Sequence, residues 1–177
     1  YNYDNILILS PKSIRENTGV VMQDGYIFSD TIERNIATAD KEINKQQLKK
    51  AVQIANIEEF VESLPLKYNT KIGAAGGQKQ RLLIARAVYK NPHYIFFDEA
   101  TSALDAENEK IIHDNLQQFF KGKTVLVIAH RLSTVKNADQ IVVLKKGEIV
   151  EIGNHQQLVQ NKAEYFNLVK NQLELGN

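Results

Sequence analysis

Two unbroken apolar runs, each ending in ionisable residues, constrain the fold more than any other feature of the sequence. The run at 94–97 is followed by Asp98 and Glu99, and the run at 125–129 is followed by His130. Short apolar runs without polar alternation are typical of buried strands in parallel sheets. A stretch with helical spacing precedes each run. The order strand, helix, strand, helix predicts an α/β fold whose parallel sheet is covered by helices on both faces.

A block with helical spacing lies before the run at 94–97. Apolar residues recur at i, i+3, i+4 and i+7 in Leu48, Ala51, Val52 and Ala55. A short helix is predicted over 57–64, ended by Pro65, because proline cannot continue a helix. A longer helix with Leu83, Ile84, Ala87 and Val88 as its buried stripe is predicted between the glycine pair at 76–77 and Asn91-Pro92.

The other predicted elements complete the chain. They are strands over 6–9 and 18–22 separated by a turn at 10–12, a helix with Ile111, Ile112, Asn115, Leu116 and Phe119 on one side, a hairpin of 141–144 and 148–152 joined through 145–147, and a helical tail from His155.

Composition excludes several classes of function. Twenty-two Lys and Arg against twenty-one Asp and Glu give a formal charge of +1, so no overall field favours nucleic acid or an anionic membrane. The absence of cysteine excludes disulfides, thiolate metal sites and cysteine nucleophiles. No apolar run approaches the ~20 residues that span a bilayer. The only methionine is Met22 and the sequence begins at Tyr1, so we expect the chain to belong to a longer protein.

The ionisable strand ends suggest one site. In an open parallel sheet, ligands bind beyond the carboxyl ends of the strands, so adjacent strands would bring Asp98, Glu99 and His130 to one edge. Successive strand side chains point to opposite faces, so one carboxylate can hold a metal while the other faces a reacting water. A strand that simply exits into solvent explains one such ending. Two at a single edge favour function.

The segment at 73–81, Gly-Ala-Ala-Gly-Gly-Gln-Lys-Gln-Arg, leads directly into a predicted helix. Glycine-rich backbone and a helix N-terminus suit a phosphate group. By itself the pair Gly76-Gly77 is equally consistent with an ordinary turn, and Lys79 and Arg81 with a solvated helix face.

The order of these motifs resembles the ATP-binding-cassette (ABC) ATPases over nearly the whole chain. The resemblance rests on Val20–Asp24, Gly76–Arg81, Tyr94–Glu99, Ser102–Asp105 and His130. It is closest to exporters through residues 28–36 and 129–134, and residues 20–35 are similar to peptide and bacteriocin exporters that carry a peptidase domain. The resemblance implies a mostly parallel sheet flanked by helices, of the P-loop NTPase type. It also implies a single nucleotide-binding domain over 1–177, with a helical subdomain over about 29–90 and an ATPase core over 1–28 and 91–177.

The resemblance also implies catalytic and metal-binding roles. Gln23 matches the glutamine that contacts Mg²⁺ and the attacking water, and Asp98 matches the aspartate that reaches Mg²⁺ directly or through water. Glu99 matches the catalytic glutamate that polarises the water. His130 matches a histidine that hydrogen-bonds the γ-phosphate. Without the neighbouring matches, Gln23 would be interpreted as an ordinary exposed loop residue.

Further roles depend on a second copy of the domain. In the family, Gly76, Gly77 and Gln78 grip the ATP held by the opposite subunit of a head-to-tail dimer. Asp105 matches the aspartate that contacts the partner subunit, although a helix N-cap would explain it as well. The implied partners are a transmembrane domain and a second nucleotide-binding domain, at the cytoplasmic face of the cell membrane.

Two departures from the family pattern bear on activity. The phosphate-binding loop G-x-x-x-x-G-K-[ST] is absent, and Gly122-Lys123-Thr124 only imitates its end, because it precedes a predicted strand rather than following one. Ala74-Ala75 stands where the family has Leu-Ser, and the stretch before the glycine pair is shorter than usual. We therefore expect the chain to start after its phosphate loop, and the shortened stretch is either a deletion or an omitted loop.

The favoured function is the ATP-hydrolysing domain of a membrane exporter, with peptides or toxins as candidate substrates. A soluble ABC-type ATPase of DNA repair or chromosome architecture is the first alternative, but no heptads are sustained between Gln23 and Gly76. A helicase-like interpretation of residues 98–101 leaves the segment at 76–81 unexplained. The altered signature also allows a catalytically inactive regulatory cassette.

Overall fold

The computed structural model describes residues 9–72, 78–98, 104, 106–128 and 132–175. Its elements, in chain order, are α1 (Pro11–Asn17), β1 (Thr18–Met22), β2 (Asp30–Thr31), α2 (Ile32–Ile36), α3 (Lys45–Ile54), α4 (Glu58–Ser63), a 3₁₀ turn (Lys67–Asn69), β3 (Lys71–Ile72), α5 (Gln78–Lys90), β4 (Tyr94–Asp98), α6 (Ala106–Phe119), β5 (Thr124–Ile128), α7 (Leu132–Val135), β6 (Ile141–Lys145), β7 (Glu148–Gly153), α8 (His155–Asn161) and α9 (Glu164–Leu175). Residues 1–128 and 129–177 form two compact units.

The main sheet of the first unit is parallel, with strand order β1-β4-β5. The chain passes from β4 to β5 through α6, the helical crossover that parallel neighbours require. The predicted strands at 94–97 and 125–129 are therefore neighbours, and the predicted α/β class is confirmed. Strands β2 and β3, which lie before and after helices α2–α4 in the chain, pair as a separate two-stranded antiparallel ladder.

The helical block forms as its spacing predicts. Asn44 caps α3 by accepting hydrogen bonds from the N–H groups of Gln46 and Gln47, both at 3.1 Å. The predicted stripe of α3 is buried, with relative exposures of 2% for Leu48 and 0% for Ala51, Val52 and Ala55. Helix α5 ends where Asn91 adopts φ +52° before Pro92.

Burial on the main sheet differs from the prediction. Val21, Ile95 and Phe97 share one hydrophobic core with α5 and α6. Their neighbours on the opposite face are exposed, by 55% at Val20 and 41% at Phe96. The expectation that helices cover both faces is wrong for the described residues, because their apolar runs are buried on one side only.

The start of the described chain also differs from the prediction. The Ser10 hydroxyl accepts a hydrogen bond from the Ser13 N–H at 3.1 Å, and Pro11 occupies the first helical turn. The predicted turn at 10–12 is therefore the beginning of α1, since serine followed by proline is also a helix start signal. Of the predicted strand at 6–9, residues 6–8 lie outside the described residues and Leu9 is not in a strand.

The second unit contains the predicted hairpin and the predicted helical tail. β6 and β7 are antiparallel and joined at Lys146 and Gly147, whose φ values of +53° and +84° suit a two-residue hairpin turn. Ile141, Val143, Leu158 and Tyr165 form its core. In the described part of the chain, no helix has the length and hydrophobicity needed to cross a membrane.

Candidate functional site

The carboxyl ends of the three parallel strands meet at one edge of the main sheet. Met22, Asp98 and Ile128 lie in a single register row across β1, β4 and β5. Because neighbouring strands are about 4.8 Å apart, the three strands end within roughly 10 Å of one another. The row brings the last residues of the three strands side by side.

The predicted site residues fall unevenly across the described chain. Gln23, directly after β1, is exposed, and Asp98, the last residue of β4, is half-buried. Gln78 begins α5. The remaining predicted site residues lie outside the described residues, so their roles stay predictions: Glu99, His130, Gly76, Gly77 and Asp105.

A tight turn fixes the backbone around Gln23. The N–H of Gly25 donates to the carbonyl of Met22 at 3.3 Å. A Cβ added at Gly25 would lie 2.5 Å from Cδ1 of Leu83, a buried residue of α5. Glycine is therefore needed for the turn after Gln23 to approach α5 this closely.

Replacing Gly25 with alanine is expected to destabilise the protein by about 1–3 kcal/mol, because the added methyl group overpacks the contact with Leu83. Chemical denaturation measures the loss. The Gly25→Ala/Leu83→Ala double variant should lose less stability than the sum of the losses of the two single variants, since the smaller side chain at position 83 makes room for the added methyl group. Strict additivity would show that the turn does not depend on this contact.

A buried amide organises the segment after the turn. Asn35 of α2 is fully buried, with 0% exposure. Its Oδ1 accepts from the N–H of Phe28 at 2.7 Å, and its Nδ2 donates to the carbonyls of Phe28, Asp30 and Thr31 at 2.9, 3.3 and 3.0 Å. One side chain thus bonds to four backbone groups of residues 28–31, which ties this segment to α2.

Arg86 of α5 completes this arrangement. Its Nε donates to the carbonyl of Asn35 at 2.7 Å, and its Nη1 donates to the carbonyl of Tyr26 at 2.9 Å. The guanidinium also lies 5.3 Å from the ring centre of Phe28. Burial lowers the pKa of Arg86. Arg86 therefore ties the loop after Gln23 to α5 at Tyr26 and Phe28, and it ties α2 to α5 at Asn35.

The same loop presents an aromatic pair that sequence reasoning did not single out. Tyr26 is 65% and Phe28 is 48% exposed, and their rings pack edge to face at 5.3 Å.

The buried amide of Asn35 did have a signal in the sequence. Asn35 stands between the apolar residues Ile32 and Ile36 of one helix. An amide on the apolar stripe of a helix implies a buried hydrogen-bonding partner.

Gln78 is turned toward its own helix. Its Oε1 accepts a hydrogen bond from Nη2 of Arg81, one turn further along α5. The carboxamide is thus held in place at the first turn of the helix that follows the glycine pair.

The described oxygen donors suit a hard cation but do not form a complete site. No cluster of three or more His, Cys, Asp or Glu that could hold a metal occurs in the described ranges. Asp98 supplies a carboxylate and Gln23 a carboxamide oxygen at neighbouring strand ends, the ligand types that Mg²⁺ prefers. Mg²⁺ is usually bound by one or two carboxylates together with substrate phosphates and water, so this partial donor set fits that ion.

The segment at 122–124 serves the fold rather than a phosphate. Lys123 donates from Nζ to Oδ1 of Asn91 at 2.9 Å and to the carbonyl of Pro92 at 3.0 Å. Gly122 has φ +75° in the turn before β5. The segment precedes a strand, as predicted, and its ammonium group ties the start of β5 to the start of β4.

Known proteins are similar in sequence to this chain. The pattern of the ABC transporter family matches residues 2–102, more than half of the chain. The chain is 45% identical over 161 residues to multidrug resistance protein pgp-1 of Caenorhabditis elegans, an alignment that covers 88% of this chain and 12% of pgp-1. It is 44% identical over 177 residues to the leukotoxin translocation ATP-binding protein LktB of Mannheimia haemolytica, covering 97% of this chain and 25% of LktB. The chain thus spans a quarter or less of the length of these relatives.

A solved structure shares the fold. The structure of a bacterial Atm1-family ABC exporter with ATP bound superposes with a TM-score of 0.92 at 36% identity. The match covers 97% of this chain and 31% of that chain. The predicted resemblance and fold are thereby confirmed.

Proposed function

This chain belongs to the ABC transporter family, and on that premise we propose that it is the ATP-binding and ATP-hydrolysing domain of a membrane exporter. The observation that supports the proposal is the register row of Met22, Asp98 and Ile128, which brings the carboxyl ends of three strands to one sheet edge. The relatives named above are transporters, which favours this function over DNA repair.

Each residue at the edge would have a separate task in hydrolysis. Asp98 and Gln23 would hold Mg²⁺, which neutralises phosphate charge when it is bound. Glu99 would accept a proton from the attacking water, and His130 would donate a hydrogen bond to the γ-phosphate. The turn at Gly25 would hold Gln23 at the distance that this arrangement needs.

A second copy of the domain is part of the proposal. Gly76, Gly77 and Gln78 would face the ATP bound by the opposite subunit, and Asp105 would contact that subunit. Each ATP would therefore be enclosed only when two domains close. We further propose a helical subdomain over 29–90, an ATPase core over 1–28 and 91–177, and a transmembrane domain that holds the pair at the cytoplasmic face of the membrane.

The substrate class stays open within export. The multidrug relative and the leukotoxin relative are about equally similar to this chain, at 45% and 44% identity. Overall identity therefore does not distinguish drug-like compounds from peptides or toxins. Peptide or toxin export remains our preferred candidate, on the similarity of residues 20–35 to peptide exporters.

The test is ATP turnover by the full-length protein that carries this chain. We expect robust MgATP hydrolysis, and Asp98→Asn should reduce it at least tenfold by weakening the hold on the metal. The 177-residue chain alone should bind MgATP weakly and hydrolyse almost none, since its sequence has no phosphate loop with its lysine. Equal turnover by the chain alone, or full activity of Asp98→Asn, would refute this assignment.

One sequence feature favours a second candidate. Ala74-Ala75 lacks the serine hydroxyl that the family places before its glycine pair. A lost hydrogen bond to a charged phosphate is worth about 1.5–3 kcal/mol, enough to slow hydrolysis strongly. A regulatory cassette would then dimerise with ATP without turnover, and light scattering together with a phosphate-release assay separates the two candidates.

A further inference from the structure

Three helices of the first unit meet at the turn that follows α3. The turn contains Asn56, whose φ of +51° lies in the left-handed region that asparagine tolerates. The carbonyl of Asn56 accepts from Nη1 of Arg81 on α5 at 2.7 Å. Its Nδ2 donates to Oδ1 of Asn108 on α6 at 2.8 Å. The turn therefore bonds to two helices that are distant from it in sequence.

The two helices also bond to each other at this turn. Nη1 of Arg81 lies 3.4 Å from Oδ1 of Asn108, so the guanidinium bridges α5 and α6 directly. The same guanidinium donates through Nη2 to Gln78 in the first turn of α5. A planar guanidinium can make these divergent bonds at once, whereas a lysine ammonium on a flexible stem cannot reproduce the fork.

A second contact fixes the direction of α6. Nδ2 of Asn115 donates to the carbonyls of Ile54 and Gln53 at the end of α3, at 3.2 and 3.4 Å, and the Gln53 carbonyl also accepts from the N–H of Asn56 at 3.0 Å. Asn108 and Asn115 are seven residues apart, so they lie on one face of α6. Two points along α6 are thus anchored to the end of α3.

The bonds of Arg81 lie next to two of the segments that the proposed function uses. Gln78 directly follows Gly76-Gly77, and Asn108 lies in the first turn of the helix that follows Ser102–Asp105. These are the two segments proposed above to face the opposite subunit. Arg81 thus bonds to Gln78 and to Asn108, which lie in the first turns of the helices that follow these two segments.

We propose that Arg81 is a positioning residue: with Asn56 and Asn108 it locks the first turns of α5 and α6 together, so that the segments before them approach a second subunit as one body. The inference rests on the proposed function for its effect on hydrolysis. The locking itself is a property of the described helices and can be measured without ATP.

The kinetic test compares Arg81→Met, Arg81→Lys and Asn108→Ala in the full-length protein. We expect Arg81→Met to lower kcat about tenfold or more while KM for ATP changes less than about threefold, because the bonds align the segments without touching nucleotide. Arg81→Lys should restore little of the loss. Adding Asn108→Ala to Arg81→Met should lower kcat less than twofold further, since both changes break the same connection.

Hydrogen exchange gives the readout that does not need turnover. Arg81→Met should raise exchange about tenfold at amides 110–113, the first bonded turn of α6, although residue 81 lies in another helix. Asn108→Ala should do the same and serves if Arg81→Met does not fold. Gln53→Ala is the matched control: it removes the exposed side-chain bond to Glu58 beside the same turn and should change neither exchange nor kcat.

The outcomes separate this inference from the proposed function. Unchanged exchange at 110–113 in both Arg81→Met and Asn108→Ala overturns the locking. Raised exchange with unchanged kcat in an active protein overturns the positioning role. Raised exchange in a full-length protein that never hydrolyses ATP supports the locking and counts against the proposed function.

Discussion

Replacing Glu99 with glutamine in the full-length protein is expected to lower ATP turnover by at least about a hundredfold. Glutamine keeps the size and shape of glutamate but cannot accept the proton of the attacking water, and general-base catalysis is typically worth about a hundredfold to ten-thousandfold. ATP binding should persist, because Asp98 and Gln23 are unchanged. The variant should therefore accumulate as an ATP-bound dimer, visible by light scattering with MgATP, while phosphate release falls.

Two control variants test whether the effect is specific to position 99. Glu107→Gln makes the same chemical change at an exposed glutamate of α6 and should leave turnover within about twofold. Asp98→Asn should lose turnover and also lose the ATP-dependent dimer, since the metal hold is weakened. If Glu99→Gln retained full turnover, the water at this sheet edge would be activated by another group, and the role inferred from the resemblance would be wrong.

The strand ends were predictable because their signal is local and strong. Two apolar runs rich in β-branched and aromatic residues, at 94–97 and 125–129, each end abruptly. Such runs are typical of strands in a parallel sheet. Strands that follow one another in the chain are usually neighbours in a sheet, which favours β4 beside β5 with α6 as the connection. The position of β1 beside β4 was not deducible from the sequence, since nothing in residues 18–22 specifies which strand they pair with. The register supplied it.

The errors arose where the same local signal has two outcomes. Ser10-Pro11 opens turns and also opens helices, and only the downstream residues of α1 decided between them. Val20 and Phe96 look like core residues in sequence, yet the face they occupy is exposed because burial depends on what packs opposite. Sequence periodicity identifies a strand, but it does not say which of its faces is covered.

The network around Asn35 was beyond sequence reasoning for a further reason. Its partner Arg86 lies fifty-one residues away on another helix, and no periodic pattern links an amide to a guanidinium at that separation. The Arg86 guanidinium also contacts the carbonyl of Tyr26 and the ring of Phe28, and these contacts contribute to how it holds the loop. Such polar connections determine how the loop after Gln23 sits, and they are visible only once the helices are packed.

Replacing Asn35 with leucine is expected to cost about 3–5 kcal/mol of unfolding free energy. Leucine keeps the number and branching of the side-chain heavy atoms but is larger, so overpacking at this buried position adds to the loss from the polar groups that remain behind. The N–H and the carbonyl of Phe28 lose their bonds at 2.7 and 2.9 Å, and the carbonyl of Thr31 loses its bond at 3.0 Å. Each buried group left without a partner costs about 1–3 kcal/mol, moderated where water can reach the loop. Urea denaturation measures the shift in midpoint.

Variants at the exposed Asn69 and at the partner Arg86 test whether the stability loss is specific to the Asn35 network. Asn69→Leu changes an exposed asparagine of the same unit and should alter stability by less than about 0.5 kcal/mol. Arg86→Met should destabilise the protein too, and combined with Asn35→Leu it should add less than its separate cost, because the two side chains support the same loop. A shift for Asn35→Leu as small as that for Asn69→Leu would mean that the loop is held by its apolar contacts, chiefly the buried Ile27, and that the orientation of the turn at Gln23 does not depend on this amide.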